Sequence, residues 1–240
     1  MEPDEYEKMH AVEERMWWYR GLHAAVLGQL TRHSDAGGTA GRVLDAGCGT
    51  GGLLKRLGPK SVGLDYAAIA ARYARSKSVR PVVVGSINDL PFAAGAFAAV
   101  VSADVLAHRS VDETRALGEL RRCLAPSGIV VLNLPAYGWL KSDHDRRVHQ
   151  DRRYTRSGLV RLLEASGFRA IFTSYWNTIL FPLMVARRLL LPGGGGDVRL
   201  MPAPVEALFR AAVLLESRIV ARGIALPFGG SVLAVGVKDG

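Results

Sequence analysis

Read for the spacing of its apolar positions, the chain settles into a regular rhythm from residue 42 onward. Five runs, 42–45, 61–65, 81–84, 98–102 and 129–133, are short, β-branched and do not alternate with polar residues. Such runs are strands buried on both faces, because alternation arises when one face meets water. Between them the spacing turns helical at 53–57, 67–76 and 111–124. Strand and helix in alternation predict an α/β fold with a parallel, doubly wound sheet. Asp112 is placed to cap the last of these helices, and Pro126 with Gly128 turns the chain into the fifth strand.

Beyond residue 134 the rhythm changes. A polar, basic stretch runs to 153, a helix is expected over 155–166, and Gly167 leads into a sixth strand over 168–174. A last strand-like run, 231–237, follows only after a long interruption. Residues 176–228 hold the apolar stretch "WNTILFPLMVARRLLL", the segment "PGGGGD", read as a surface loop, and an amphipathic helix over 205–222. That helix carries Leu208, Ala211, Ala212, Leu215 and Ile219 at helical spacing.

Composition narrows the class. A chain of 240 residues, 49% hydrophobic, fits one domain spanning 1–240 with a well-filled core. Its longest apolar run is broken by Pro182, Arg187 and Arg188, and its opening residues lack an apolar leader. Neither a spanning helix nor a signal peptide is expected. Cys48 and Cys123 fit neither a disulfide framework nor a metal site, so the expected setting is the reducing cytoplasm, with no metal. The net charge of +9 is partly local: residues 141–161 hold seven Lys and Arg against three Asp. The aromatics do not alternate with the basic residues as a base-stacking platform requires, and no RNA-binding or helix-turn-helix signature is seen, so a nucleic-acid partner is not expected.

The stretch "VLDAGCGTGG" over 43–52 carries the chemistry. Gly47, Gly49 and Gly52 fit the G-x-G-x-x-G of a dinucleotide site, with Asp65 where the ribose carboxylate falls. Asp45, Gly47, Gly49 and Gly51 equally fit the D-x-G-x-G-x-G of an S-adenosylmethionine site. Asp45 separates the readings. At the carboxyl end of the first strand its carboxylate would repel a pyrophosphate by a few kcal/mol, on the order expected for a poorly solvated cleft. The ammonium group of S-adenosylmethionine would instead be attracted. An NAD-dependent oxidoreductase stays as the weaker alternative.

The following "GSINDLPFAAGAFAAVVSADVLAH" resembles the class I S-adenosylmethionine-dependent methyltransferases, especially the small-molecule group with a "GDAxxLPF…FDxVxxxxxLxH" pattern. The resemblance implies a Rossmann-like seven-stranded sheet in which 231–237 lies antiparallel beside the far neighbour of the fifth strand. Strands six and seven form a hairpin in minimal members, so 176–228 is a helical insertion, and residues 1–40 are a helical cap. The implied cofactor contacts are Asp45, Gly47, Cys48, Gly49, Gly51, Asp65, Tyr66 and Ser102. Ser86 or the Ile87 backbone replaces the family's adenine-binding Asp. From "ERMWWYRGLH", Tyr19 and Arg20 are implied contacts for the cofactor carboxylate.

For the acceptor, His108 matches the family's "LxH" and either holds its loop or acts as a general base. "SDHDRRVHQDRRYT" resembles a D-x-x-x-x-H-x-R-R-Y-[ST] segment of the same family. Asp145, Arg152, Arg153, Tyr154 and Thr155 match it, but Gln150 stands in place of the histidine, leaving His144 or His149 as the base. Tyr137, Asp145, Arg152, Arg153 and Tyr154 are the expected acceptor contacts. The expected acceptor is a small or lipid-linked molecule, amphipathic and anionic, methylated on oxygen or nitrogen. The apolar insertion, flanked by Arg187, Arg188 and Arg210, is read as packing on the domain, a homodimer interface, a lid, or a peripheral membrane contact. On the lid reading, excising 178–222 and bridging the gap with a short linker leaves cofactor binding largely intact and abolishes turnover. A non-catalytic partner subunit or membrane-associated scaffold of the same fold is the competing function.

Overall fold

The computed structural model describes residues 1–33, 41–190, 198 and 200–239, the side chains of 144, 189 and 190 excepted. Its strands are β1 (Val43–Ala46), β2 (Val62–Asp65), β3 (Val82–Val84), β4 (Phe97–Ala103), β5 (Leu124–Pro135), β6 (Phe168–Trp176) and β7 (Ser231–Lys238). They form one sheet in the order β3-β2-β1-β4-β5-β7-β6. The first five strands run parallel, and β7 lies antiparallel between β5 and β6. This is the expected seven-stranded, Rossmann-like α/β sheet with an antiparallel last strand.

The helices are α1 (Pro3–Val12), α2 (Trp17–His33), α3 (Ala68–Ser78), α4 (Glu113–Cys123), α5 (Asp143–Arg147), α6 (Arg156–Ala165), α7 (Phe181–Leu190) and α8 (Ala203–Ala221). One face of the sheet buries Ala116, Leu117 and Leu120 of α4 with Leu159 and Leu163 of α6. The other buries Leu22, Val26 and Leu30 of α2, Ala71 and Ala74 of α3, and Val220 of α8. Strands covered on both sides need apolar residues at successive positions, which is why their runs did not alternate. Asp112 caps α4 by accepting from Arg115 N at 3.1 Å, and Thr155 caps α6 by accepting from Gly158 N at 3.2 Å.

Two local expectations are corrected, and a third is left untested. The predicted helix over 53–57 is a single 3₁₀ turn, Leu54–Arg56, too short to hold a stable α-helical turn of its own. "PGGGGD" lies outside the described residues. The predicted apolar face of α8 is wrong by a rotation: Leu208 and Leu215 are exposed, whereas Glu206, Val213, Glu216, Ser217 and Val220 are buried. The carboxylates can turn inward because backbone N–H groups satisfy them. Glu216 accepts from Thr178 N at 2.9 Å and Ile179 N at 3.1 Å, and Glu206 accepts from Met201 N at 3.1 Å and from Trp17 N.

The insertion does pack on the domain through α8. A Cβ added at Gly21 would lie 2.8 Å from Val213 Cβ, and one at Gly28 2.6 Å from Ala221 Cβ, so both glycines let α2 and α8 approach closely. Ser217 Oγ donates to Gly21 O at 3.0 Å and Gln29 Nε2 to Val220 O at 2.8 Å across this seam. Excising 178–222 would remove the α8 side of this seam with α2.

Candidate functional site

Sheet order reverses around β1, so the ends of β1 and β4 open a crevice of the kind that binds ligands in open α/β sheets. Here the crevice is a cavity of about 610 Å³ with two chemically different ends. The first end is built on the glycine loop. Gly47 N and Cys48 N donate to Leu64 O at 2.7 and 2.9 Å, laying the loop across β2. Gly47 has φ 92°, and a Cβ there would come within 2.1 Å of Val105 Cγ2, so no other residue fits. Gly49 N and Ala67 N donate to the two oxygens of Asp65, each at 2.9 Å. Each oxygen keeps acceptor capacity, as binding a pair of hydroxyls requires. Burial pushes the Asp65 carboxyl upward, opposed by those backbone bonds.

Asp45, at the end of β1, is 2% exposed, and its Oδ2 has no hydrogen-bond partner among the described residues. Burial, with the nearby carboxylates of Glu13 and Asp65, raises its pKa to about 8. A buried acceptor without a donor, in a cavity with other carboxylates, calls for a cation.

This shift gives a stability prediction. The folded pKa of about 8 lies above the unfolded value of about 3.9. The protonated carboxyl therefore contributes stability that is complete below about pH 4 and is lost as pH rises through about 8. Relative to Asp45→Asn, which carries no such proton, the unliganded protein should lose about 1 kcal/mol per pH unit across this window. Urea midpoints of both proteins from pH 5 to 8 would show it; parallel pH profiles would contradict it.

The N-terminal cap reaches the loop through Glu13, which follows α1 and is 1% exposed. Its carboxylate accepts from Thr50 Oγ1 at 2.6 Å, from Gly52 N at 3.0 Å and from Lys77 Nζ of α3 at 2.6 Å. Tyr6, Met9 and Tyr19 join the cavity wall on this side. Burial raises the Tyr19 phenol, with Glu13 and Asp104 adding to the effect.

At the other end, the first residue after β4 is Asp104. Its φ of 61° is left-handed, an uncommon conformation for a residue other than glycine. Asp104 N donates to Asn133 O at 2.7 Å, and Gln150 Nε2 donates to Asp104 O at 3.2 Å, fixing this backbone. The Asn133 amide oxygen accepts from the indole N–H of Trp176, which turns its NH₂ group toward Asp104 Oδ1 at 3.1 Å. The residue is half-buried because it opens onto the cavity, whose walls still strip the carboxyl of bulk water. That desolvation raises its pKa to about 7 against the lowering effect of Arg153 and Asn133. His108 also lines the cavity, and burial lowers its pKa to about 4, so the ring is neutral near pH 7.

Arg153 forms a buried pair with Asp145 at 2.7 and 2.9 Å, and both line the cavity. Arg187 and Arg188 of α7 add two more guanidinium groups to the wall. Leu180, Leu183, Met184, Met201 and Phe209 make the rest of this end apolar.

The cavity brings together most of the expected residues. Tyr19, Asp45, Gly47, Cys48, Gly49, Asp65, Tyr66, Ser86, Ile87, His108, Asp145 and Arg153 line it. It does not take in Arg20, Gly51, Ser102, Tyr137, His149, Arg152 or Tyr154. Gly51 instead lets the loop lie against α3, where a Cβ would meet Ala74 Cα at 2.7 Å. Ser102 Oγ donates to Ala46 O at 2.9 Å between β4 and β1. Arg152 donates to the carbonyls of Leu106, His108 and Val111, and the Tyr154 hydroxyl to Leu106 O and Glu113, so both staple the loop after β4. Tyr137 stacks on Tyr175, and His149 Nε2 meets Glu2 Oε1 at 2.7 Å. His144 lies in α5, its side chain outside the described ones. Asp104 and Glu13 are among the members of the site that sequence reasoning missed.

Comparison with known proteins settles the family. A model described as a methyltransferase domain matches residues 44–132. A demethylmenaquinone methyltransferase of Thermus thermophilus is 31% identical over 212 residues, covering 81% of each chain. The chain belongs to the class I S-adenosylmethionine-dependent methyltransferases. A probable tRNA methyltransferase 9B of mouse is 35% identical over 108 residues, 44% of this chain, and the match spans only 23% of that relative's length. The methyltransferase from a complex of the Haloferax volcanii Trm112 activator with a putative methyltransferase has the same fold. Its TM-score is 0.64 at 18% identity, with both chains fully covered.

The methyltransferase cofactor, S-adenosylmethionine, fits the first end of the cavity. Asp45 Oδ2 is a buried acceptor without a donor among the described residues, Asp65 has acceptor capacity to spare, and Ser86 and Ile87 line the same cavity.

Proposed function

We propose that this methyltransferase acts on an oxygen or nitrogen of a small amphipathic acceptor that carries an anionic group. The observation that carries the reading is the two-ended cavity, glycine-lined with Asp45 and Asp65 at one end, and at the other an apolar wall that also holds Asp104, the Arg153–Asp145 pair, Arg187 and Arg188. Guanidinium groups pair with carboxylate or phosphate in a fixed geometry, and the apolar wall suits a hydrocarbon body. When bound, S-adenosylmethionine supplies an electrophilic methyl group on a sulfonium sulfur. The chain's own contribution is to hold the acceptor at the ends of β1 and β4, to exclude water beneath α1 and α7, and to take up a proton. Asp104 Oδ2 is the atom placed to accept that proton, steadied through Oδ1 by Asn133.

Calorimetry with S-adenosylhomocysteine tests the cofactor half of the reading. Asp65→Ala should weaken binding roughly 10- to 100-fold, since two hydrogen bonds to a charged acceptor are lost. An acceptor panel of acyl, aryl and prenyl carboxylates and phosphates, read by mass for gain of a methyl group, tests the other half. Unimpaired binding by Asp65→Ala, or methylation only of neutral compounds, would refute the corresponding half.

A further inference from the structure

Four aromatic rings from three separate segments meet on the surface at the apolar end. Tyr137 and Trp139 stack at 5.8 Å, Phe181 of α7 lies 5.8 Å from Tyr137 and 6.3 Å from Trp139, and Phe228 lies 5.7 Å from Phe181. Trp139 is 60% exposed, Phe228 is exposed too, and so are Ile179 and Leu183, each two positions from Phe181. Leu183 also lines the cavity, so this patch forms the rim of its mouth. Isolated exposed apolar residues need no explanation, but a contiguous aromatic patch at a cavity mouth does.

Cations adjoin one side of the patch. The Arg188 guanidinium donates to Leu140 O, one residue from Trp139, and Lys141 follows, half exposed and 3.7 Å from Asp151. The stretch from Trp176 through Leu190 contains Arg187 and Arg188 and no acidic residue. Trp and other aromatic residues flanked by Lys and Arg are suited to the boundary between lipid headgroups and acyl chains. A second copy of the chain would bring like charges face to face, whereas anionic headgroups complement them.

We infer that the face bearing Trp139, Ile179, Leu183 and Phe228 docks on an anionic lipid surface, with the cavity mouth opening onto that surface. The docking itself is independent of the reaction. Its use, drawing an amphipathic acceptor from the lipid, rests on the function proposed above.

The test is sedimentation of the full chain with vesicles of phosphatidylcholine alone and of phosphatidylcholine mixed equally with phosphatidylglycerol. Binding to the anionic vesicles should be at least about tenfold tighter, weaken with salt, and shift Trp139 fluorescence to the blue. Trp139→Ser combined with Phe228→Ser should lose about tenfold or more of that binding, whereas Trp139→Phe should keep most of it. S-adenosylhomocysteine binding should stay unchanged in all three, because neither side chain lines the cavity. Equal sedimentation of wild type and double variant, or none with anionic vesicles, would overturn the inference. So would a lipid-free dimer that the double variant dissociates, since the face would then be a contact between copies. Failure to bind S-adenosylhomocysteine would count against the proposed function and leave the vesicle result standing.

Discussion

Asp104→Asn is expected to lower turnover of the acceptor by about 10² to 10⁴ while leaving S-adenosylhomocysteine affinity within about threefold, the range for loss of a general base. The substitution keeps shape and keeps an oxygen for the Asn133 amide, so the β4 end should hold its backbone. What it removes is the carboxylate facing the cavity. Because the wild-type group titrates at about 7, turnover should climb with pH through that value as the base ionises, and the variant should lose this rise. Initial rates on an acceptor identified by the mass screen, taken from pH 5.5 to 9, make the comparison. Turnover within tenfold of wild type, with the same pH profile, would assign the proton to another group, His108 first among them.

Glu13→Ala should be the most destabilising single change in the cap. It leaves the Lys77 ammonium, whose side chain is 8% exposed, without its carboxylate and with only the Thr50 hydroxyl and His10 O, and takes the acceptor from Thr50 and Gly52 N. Breaking a buried pair from one side costs about 3–5 kcal/mol. For a chain of this size that corresponds to a fall of about 10 °C in melting temperature. Glu13→Gln, which keeps an acceptor for the Gly52 amide, should lose less. Calorimetric melting of the three proteins decides it; a Glu13→Ala protein that melts within about 2 °C of wild type would show that α1 is held by other contacts. Cofactor affinity should fall in step with stability, since the same carboxylate fastens the cap to the glycine loop.

The sheet was legible because each buried strand writes its burial directly into consecutive apolar positions. Asp45 and Asp65 were legible because they stand at fixed offsets from those strands. Glu13 was not: its partners lie 37 to 64 positions away, on a loop and on α3, and nothing periodic announces them. Asp104 sits within a segment whose resemblance drew the eye to His108, and its significance rests on a left-handed backbone and on Asn133, a residue of another strand. Arg152 and Tyr154 misled in the opposite sense. Their residue types suit anion binding, but the loop after β4 leaves carbonyl groups without strand partners, and these two side chains satisfy them. The face of α8 was misread for a related reason, because carboxylates are assigned outward by default and Glu206 and Glu216 instead serve backbone amides.

The seat of β7 between β5 and β6 also governs when the protein can mature. Leu132 of β5 pairs with Ala234, and Thr173 of β6 pairs with that same residue. While the ribosome is still decoding the helical insertion, β6 has no lateral neighbour in the sheet and β5 shows an open edge. Nascent chains fold progressively from the N-terminal side, and unpaired edges invite association with other chains. Gly230 and Ser231, which help close the cavity, arrive with the same late segment. Competence for ligand thus waits on residues 231–238, which join two separated parts of the sheet.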